Sequence, residues 1–205
     1  PEPSKKIIQI HIERLVELIF PQGSLGAVAA TRSCAKSAVD ARHSYSSPTV
    51  SGFAADVALS QVFEGGFVQV LVSGFADSVY LDAGLFHVEK IVSVSGLPAE
   101  PLQTDLAQLK ICAWFYAAEK QIDTLCLDLV YCTQDDDEEQ IFSQEYRCED
   151  LQHECELWIR AYLDWCDRNE KHRRDLRLRL ELLKFPFDGF RKGQYELSKA
   201  VYRCI

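Results

Sequence analysis

Three residues in one short segment have side chains that can bind divalent metal ions. His87 and Glu89 are two residues apart in a stretch rich in Val, Ile and Phe, and Asp82 precedes them. Because alternate residues of a strand share a face, His87 and Glu89 could act with Asp82 as ligands, with the acidic run at residues 135–139 nearby. The alternative is a structural histidine beside an acidic turn that faces solvent. The sequence leaves both interpretations open.

Eight cysteines are scattered along the chain. Cys126 and Cys132 are separated by five residues, and Cys148 and Cys155 by six, so neither pair has the CxxC spacing typical of zinc or iron–sulfur sites. A chain of this size and apolar content does not need disulfide bonds for stability, so we expect free and mostly buried thiols. A cluster held by cysteines is the alternative.

The charge distribution limits the kinds of partner. The chain has 22 Lys and Arg against 31 Asp and Glu, a net charge of −9, which disfavours nonspecific attraction to DNA phosphates. The most cationic stretch, residues 171–179, contains five basic residues: Lys171, Arg173, Arg174, Arg177 and Arg179. This stretch predicts either a solvated helix face or a local contact with a DNA backbone.

The apolar residues are distributed as in a globular protein, with 47% hydrophobic and 26% charged residues. No apolar run approaches the roughly 20 residues that a membrane-spanning helix needs. The first residues do not form a signal peptide, because His11, Glu13 and Arg14 interrupt the apolar stretch. We therefore expect a cytoplasmic protein without a membrane partner.

The first half of the chain predicts one or two short elements and then a group of strands. Residues 6–20 fit either a strand followed by a helix or one helix, and Pro21 and Gly23 end it. Residues 23–48 are small and polar and predict mostly loop, and residues 51–62 predict a helix. Segments rich in Val, Ile, Phe or Tyr then predict three strands, at 67–73, 78–81 and 86–94, with breaks short enough for hairpins.

The second half predicts a helix at 102–121 and a strand at 124–132, which must pair in parallel with an earlier strand because it follows a helix. A turn at 135–139 precedes an edge strand at 140–146. A long helix begins at Glu149, and its apolar stripe is expected to lie in the core: Leu151, Cys155, Trp158, Tyr162 and Trp165. The pattern predicts an α/β fold with a mixed sheet flanked by helices.

Four short segments, in this order, resemble the PD-(D/E)XK nuclease-like domain that is fused ahead of bacterial DinG-like helicases. ERLVE at 13–17 is similar to an E-L-V-E helix, and VSGFAD at 72–77 to a V-x-G-R-A-D strand end. VEKIV at 88–92 is similar to V-E-E-I-K, and QLKIC at 108–112 to Q-x-x-x-Y. The resemblance implies an αβββαβ core with a C-terminal helical extension.

The resemblance also implies where a nuclease site would lie. That family holds Mg²⁺ with an aspartate and a glutamate, and a lysine two residues after the glutamate positions the attacking water. Asp77 matches the aspartate, but Lys90 stands where the glutamate belongs and Val92 where the lysine belongs. In the other register, Glu89 matches the glutamate and Ile91 takes the position of the lysine.

Other positions of the motif are also changed. Gln108 matches, whereas Phe75 replaces an arginine and Cys112 replaces the tyrosine. We therefore predict a vestigial site without catalysis or bound metal, in which an ion pair between Asp77 and Lys90 takes the place of the cation. The residues of this vestigial site are Asp77, Glu89, Lys90 and Gln108.

The last 21 residues, FPFDGFRKGQYELSKAVYRCI at 185–205, resemble the adenine-recognising segment of DinG/XPD-type superfamily 2 helicases. The resemblance assigns Gln194 to the adenine edge and Arg191 and Phe190 to support of the nucleotide. An ordinary amphipathic helix that begins at Gly193 is the alternative. No Gly-Lys-Ser/Thr phosphate loop occurs in these residues, so ATP and Mg²⁺ are expected as ligands of an intact helicase and not of this chain alone.

Together the resemblances predict a domain organisation and a function. Residues 1–167 form a degenerate nuclease-like domain, 168–184 a charged connecting helix, and 185–205 the start of a helicase motor domain. The predicted function is that of an accessory domain that binds or positions DNA for the ATP-dependent motor in cis. An active metal-dependent DNA nuclease and a protein-interaction module with acidic loops are the alternatives.

Overall fold

The computed structural model describes residues 5–21, 50–133, 138–182, 189, 191 and 193–204. The chain divides into two units, Pro1–Asp167 and Arg168–Ile205. The elements, in chain order, are β1 (Lys6–His11), α1 (Ile12–Ile19), β2 (Ser51–Glu64), β3 (Val68–Asp82), β4 (Leu85–Val94), α2 (Gln103–Lys120), β5 (Thr124–Thr133), β6 (Glu139–Arg147), α3 (Cys148–Leu182) and α4 (Gln194–Cys204).

The six described strands form one mixed sheet around the long strand β3. β2 pairs with β3 in antiparallel orientation along nearly all of its length. β1 pairs in parallel with residues 68–73 of β3, and β4 pairs in antiparallel orientation with residues 78–82. Because β2 occupies one edge of β3, β1 and β4 share the other edge and leave residues 74–77 between them. β5 then pairs in parallel with β4, and β6 in antiparallel orientation with β5.

The predictions for the first half of the chain are partly wrong. Residues 51–62 form most of strand β2 and not a helix, and the predicted strands at 67–73 and 78–81 are one strand, β3. Residues 6–20 are a strand followed by a helix, the first of the two predicted alternatives. The three antiparallel strands are therefore β2, β3 and β4, and the order helix, three strands, helix, strand is kept.

The predictions for the second half agree with the structure more closely. α2 lies within one residue of its predicted bounds, β5 pairs in parallel with β4 as expected, and β6 is the edge strand. The turn expected at 135–139 falls mainly on residues outside the described part of the chain. Local sequence is sufficient here because α2 and β5 have apolar patterns typical of their elements, and β6 follows a turn signal.

The hydrophobic core of the first unit lies where α1, α2 and the beginning of α3 pack on the sheet. Side chains on α3 that are almost fully buried are Leu151, Cys155, Ile159 and Cys166. The predicted apolar stripe is therefore rotated at its end, because Trp165 is 54% exposed and Cys166 takes the buried position. A 2.7 Å ion pair between Lys110 of α2 and Glu154 of α3 also joins the two helices.

A close approach of α1 to β3 fixes the beginning of the helix. A Cβ atom at Gly74 would lie 2.6 Å from Cδ1 of Ile12, and Ile12 is only 2% exposed. A strand glycine often marks such an approach of a neighbouring element. Gly74 therefore lets α1 begin immediately after β1 and pack on the middle of β3.

The turn between β2 and β3 is held by a carboxylate from α3. Oδ1 of Asp167 accepts hydrogen bonds from the backbone N–H groups of Phe67 and Val68, at 2.8 and 3.0 Å. Oδ2 accepts a third from Gly66 at 2.7 Å, and a Cβ atom at Gly65 would lie 2.6 Å from this oxygen. Gly65 therefore lets the backbone approach the carboxylate closely enough for the next three residues to donate all three bonds.

The second unit contains the end of α3 and the helix α4. Its residues, 168–205, carry eleven Lys and Arg against five Asp and Glu, a net charge of +6. Residues 1–167 carry a net charge of −15. Across the described part of the chain, no helix has both the length and the apolar character that a membrane crossing requires.

Candidate functional site

Asp77 lies on β3 beside the first residue pair that β3 makes with β4. The pairing of these two strands begins with Ser78 opposite Glu89. One step beyond this pair, Oδ2 of Asp77 accepts a 2.7 Å hydrogen bond from the backbone N–H of Ile91. The carboxylate therefore holds β4 just beyond the part that pairs with β3, where the neighbour along this edge of β3 changes from β1 to β4.

Lys90 lies on the same side of the sheet as α2. It is in register with Leu129 of β5, whose side chain belongs to the core. The positive charge of Lys90 acts on Asp105 and on Cys112, which are both on α2. Ser78, the neighbour of Asp77, is in register with Glu89, so by strand alternation Asp77 lies on the other face, together with Lys90. The ion pair between Asp77 and Lys90 stays a prediction.

Glu89 points to the opposite side of the sheet, because successive residues of a strand alternate between its two faces. Its side chain is fully buried, and its Oε2 accepts a 2.6 Å hydrogen bond from the hydroxyl of Ser78. It is in register with Asp128 of β5. The structure therefore separates Glu89 from Asp77 and brings Lys90 to the Asp77 side.

The helix α2 contributes a further row of side chains to the Asp77 side. Asp105, Gln108 and Cys112 are spaced by three and four residues, so they share a face of the helix. Gln108 is half-buried one turn before Cys112. The Cys112 thiol donates a 3.4 Å hydrogen bond to the carbonyl of Phe75, and burial raises its pKa to about 12. Cys112 is therefore a protonated structural thiol.

Asp105 is the second carboxyl group near Lys90. Burial raises its pKa, against the opposing effects of the Lys90 charge and of a 3.0 Å hydrogen bond from the hydroxyl of Tyr131. The same hydroxyl accepts a 2.9 Å bond from the backbone N–H of Leu102, just before α2. Glu13 of α1 also acts electrostatically on Cys112. The surroundings of Asp77 thus combine carboxyl groups with one lysine.

The opposite face carries a polar cluster centred on Asp128. Oδ2 of Asp128 lies 2.7 Å from Nδ1 of His87 and accepts a 2.8 Å hydrogen bond from the hydroxyl of Tyr80. Oδ1 accepts bonds from the hydroxyl of Ser143 at 2.6 Å and from the thiol of Cys126 at 3.6 Å. The cluster therefore joins four neighbouring strands, β3 to β6.

The pKa values of Asp128 and Cys126, the two acidic groups of this cluster, shift in opposite directions. Burial raises the pKa of Asp128, but the hydrogen bonds from Ser143, His87 and Tyr80 outweigh it, so the pKa is lowered overall. Burial, with the nearby Asp128 charge, raises the pKa of Cys126 to about 11. At neutral pH the carboxyl group is therefore ionised and the thiol protonated.

Only one group of metal-ligating side chains is found in the described ranges. His87, Cys126 and Asp128 each offer a ligand atom, and these atoms all lie within 4.8 Å of one another. The predicted metal ligands are His87, Glu89 and Asp82, and of these His87 belongs to the group. Glu89 lies on the same face but is not a member, and neither is Asp82, which follows Tyr80 by two residues on β3. Among the described residues, six cysteines are free thiols, and four of these are buried.

The predicted adenine-binding residues lie at the start of α4. The backbone N–H of Arg191 donates a 2.9 Å hydrogen bond to Oε1 of Gln194, and the N–H of Gln194 donates to the carbonyl of Arg191 at the same distance. These contacts stabilise a helix start. Phe190 lies outside the described residues. The assignment of Gln194 and Arg191 to adenine stays a prediction.

Most members of the Asp128 cluster are not evident from the sequence: Tyr80, Cys126, Asp128 and Ser143. Cys126 and Asp128 are two residues apart on a predicted strand, which is a signal for a shared face. Their partners come from β3, β4 and β6, and that register depends on contacts distant in sequence. For Asp105, the helical spacing to Gln108 and Cys112 is a usable signal.

The comparisons with known proteins show no family for this chain. No protein-family model matches the sequence, and no curated protein matches it. Among solved structures, the chain is similar to the crystal structure of a protein called SSO0001, with 17% sequence identity and a TM-score of 0.47. The match covers 78% of this chain and 79% of that chain. A likeness at this level carries no argument about activity.

Proposed function

We propose that the chain is a PD-(D/E)XK nuclease-like domain that has lost hydrolytic activity and binds or positions DNA for a DinG/XPD-like helicase motor. One observation carries the loss of activity: Lys90, and not Glu89, lies on the Asp77 side of the sheet. The positive charge of Lys90 beside Asp77 repels a cation, and Mg²⁺ needs several oxygen ligands in octahedral geometry.

The strand arrangement supports the nuclease-like part of the proposal. The sheet runs β2, β3, β4, β5 and β6, with β3 antiparallel to both neighbours and β5 parallel to β4. This agrees with the αβββαβ core that the sequence motifs imply. Asp77 and Lys90 also lie near α2, the helix that carries Gln108. Asp77, Lys90 and Gln108 thus lie on one side of the sheet, and Glu89 lies on the other.

The charge distribution supports a local contact with DNA. Residues 168–205 carry a net charge of +6 in a chain whose total is −9. Within the second unit, Arg173 and Arg177 are four residues apart on α3 and both exposed, so they share a face of the helix. Arginines at this spacing can contact successive phosphates of a DNA backbone.

Salt-dependent DNA binding tests this part of the proposal. Fluorescence anisotropy with labelled single-stranded and duplex DNA is measured over a series of salt concentrations for the whole chain. Affinity is expected to fall steeply with salt, because bound arginines release counterions from the DNA. The double variant Arg173→Gln/Arg177→Gln should bind more weakly. Its slope of log K against log salt should be reduced by roughly 0.7 to 0.9 for each phosphate that is no longer neutralised.

The matched control replaces two exposed arginines of the first unit, Arg147→Gln/Arg160→Gln, which are 71% and 72% exposed. This control should leave affinity and slope unchanged. Equal losses in both double variants would show that only total charge matters. The absence of any salt-dependent binding by the wild type would reject the DNA role.

A protein-interaction module is the second candidate, because residues 1–167 carry a net charge of −15. Such a surface attracts basic partners and repels DNA. Isothermal titration with a Lys- and Arg-rich peptide distinguishes the two functions. Tight peptide binding together with no DNA binding would favour this candidate over the proposed one.

A further inference from the structure

The Asp128 cluster brings nitrogen, sulfur and oxygen ligands together on one face of the sheet. His87 of β4 and Cys126 of β5 are partners in the parallel register, and Asp128 is two residues after Cys126 on the same face. Sγ of Cys126 lies 3.6 Å from Oδ1 of Asp128, and Nδ1 of His87 lies 2.7 Å from Oδ2. Three ligands from two adjacent strands are therefore already close together.

These distances are near those of a tetrahedral zinc site. Ligand atoms about 2.0 to 2.3 Å from a central zinc ion lie roughly 3.3 to 3.6 Å from one another. The distance from Sγ of Cys126 to Oδ1 of Asp128 already has this value. The distance from Nδ1 of His87 to the other oxygen, Oδ2, must open by about 0.6 Å, which rotation of the imidazole can supply. The three ligand atoms, which lie within 4.8 Å of one another, must also turn toward one ion. The group therefore needs only a local adjustment to hold an ion.

The ligand types select zinc over magnesium. Thiolate and imidazole suit Zn²⁺, whereas Mg²⁺ requires oxygen ligands. A deprotonated Cys126 and an ionised Asp128 also balance the two positive charges of zinc, so the buried site would be neutral. The imidazole of His87 is 18% exposed, and the ion can enter from that side.

Neighbouring side chains orient the ligands, as outer-shell groups do at metal sites. The ring of Tyr80 stacks on the ring of His87, with centroids 4.8 Å apart and planes 9° apart. The hydroxyl of Ser143 holds Oδ1 of Asp128 at 2.6 Å. Both contacts restrict the ligands to the face they share.

From this arrangement we infer that His87, Cys126 and Asp128 bind one Zn²⁺ ion, with a fourth position open to solvent. This site is separate from the Asp77 side of the sheet, because it lies on the opposite face. It does not depend on the proposed nuclease ancestry or on DNA binding.

Cobalt substitution tests the inference directly. The whole chain is stripped of metal with a chelator and titrated with Co²⁺, which gives a charge-transfer absorption band when bound to a thiolate. Zn²⁺ is then added in competition. One equivalent of Co²⁺ should produce the band, and one equivalent of Zn²⁺ should remove it. The absence of a saturable band in the wild type would overturn the inference.

Variants assign the band to individual residues. Cys126→Ser should abolish it, and His87→Gln should weaken Co²⁺ binding by at least about tenfold. Cys132→Ser, on the same strand and face, is the matched control and should keep the band. Ser143→Ala leaves all three ligands in place and should weaken binding by about tenfold, which keeps the test informative if Cys126→Ser does not fold. A band that persists in folded Cys126→Ser would contradict the assignment.

Discussion

The hydroxyl of Ser78 donates a 2.6 Å hydrogen bond to Oε2 of Glu89, and neither residue has any exposed surface. This contact joins β3 to β4 at the first pair of their register. It holds Glu89 on the face that carries Asp128, away from Asp77. The direction of one glutamate side chain therefore decides what chemistry the Asp77 side can perform.

Removal of the Ser78 hydroxyl is expected to destabilise the fold. Ser78→Ala should lower the free energy of unfolding by about 1–3 kcal/mol, because a buried carboxyl group loses a hydrogen-bond donor. Ser73→Ala, a change on the same strand, is the control and should cost less. Urea denaturation measures both. Equal and small losses in the two variants would show that the Ser78 contact does not hold Glu89.

Replacing Lys90 by glutamate is expected to create a cation site beside Asp77. Lys90→Glu removes a positive charge and adds a carboxylate on the same face as Asp77, which are the changes that Mn²⁺ and Mg²⁺ require. Electron paramagnetic resonance of Mn²⁺ should detect binding in this variant and not in the wild type. Lys90→Gln removes the charge alone and is the control. If Lys90→Glu and Lys90→Gln bound Mn²⁺ equally, the result would contradict the placement of residue 90 beside Asp77.

The bonds to Asp167 are expected to make stability depend on pH. Burial raises the pKa of this carboxyl group, but the backbone N–H groups of Phe67, Gly66 and Val68 outweigh it, so the pKa is lowered overall. A lowered carboxyl pKa stabilises the fold fully above the unfolded value of about 3.9, and this stabilisation is lost as the pH falls through the folded value.

Asp167→Asn should therefore lower the free energy of unfolding at pH 7 by about 1–2 kcal/mol, a reduced value because the group is partly exposed to solvent. The difference from the wild type should shrink below about pH 4. Denaturation at pH 7 and pH 3 measures it. Asp164→Asn, on the same helix and exposed, is the control. A difference that is constant with pH would refute the role of the charge.

The packing of Ile12 on Gly74 gives a prediction about the core. Gly74→Ala should cost about 1–3 kcal/mol, because the added methyl group lies 2.6 Å from Cδ1 of Ile12. Adding Ile12→Val removes that carbon and should recover part of the loss. Gly96→Ala is the control, since its Cβ atom would meet nothing within 4 Å. Thermal unfolding is measured for Gly74→Ala, Ile12→Val, their double variant and Gly96→Ala. Losses that simply add in the double variant would show that the contact is absent.

The fold can be predicted where local patterns agree with tertiary packing. The predictions for α2, β4, β5 and β6 are correct, because α2 and β5 have regular apolar patterns and β4 and β6 are short segments bounded by turn signals. For β2 the sequence predicts a helix because Ala54, Ala55 and Ala58 favour helices, but pairing along β3 overrides that preference. Gly74 suggests a break between two strands, whereas in the structure β3 continues through Gly74 and Ile12 packs against it.

The candidate sites can be predicted only in part. Strand alternation is sufficient to place Glu89 and Lys90 on different faces, because that rule is local. The cluster of His87, Cys126 and Asp128 depends on the register between β4 and β5, which are separated by α2. No local pattern in the sequence specifies such a register, so this group is evident only from the structure.

A nicking assay with supercoiled plasmid tests the central claim most directly. The purified chain is incubated with plasmid in Mn²⁺ and, separately, in Mg²⁺, beside the variant Asp77→Ala. We predict no cleavage above background by either protein, because Asp77 and Lys90 do not assemble a divalent-cation site. Cleavage by the wild type that Asp77→Ala abolishes would contradict the account.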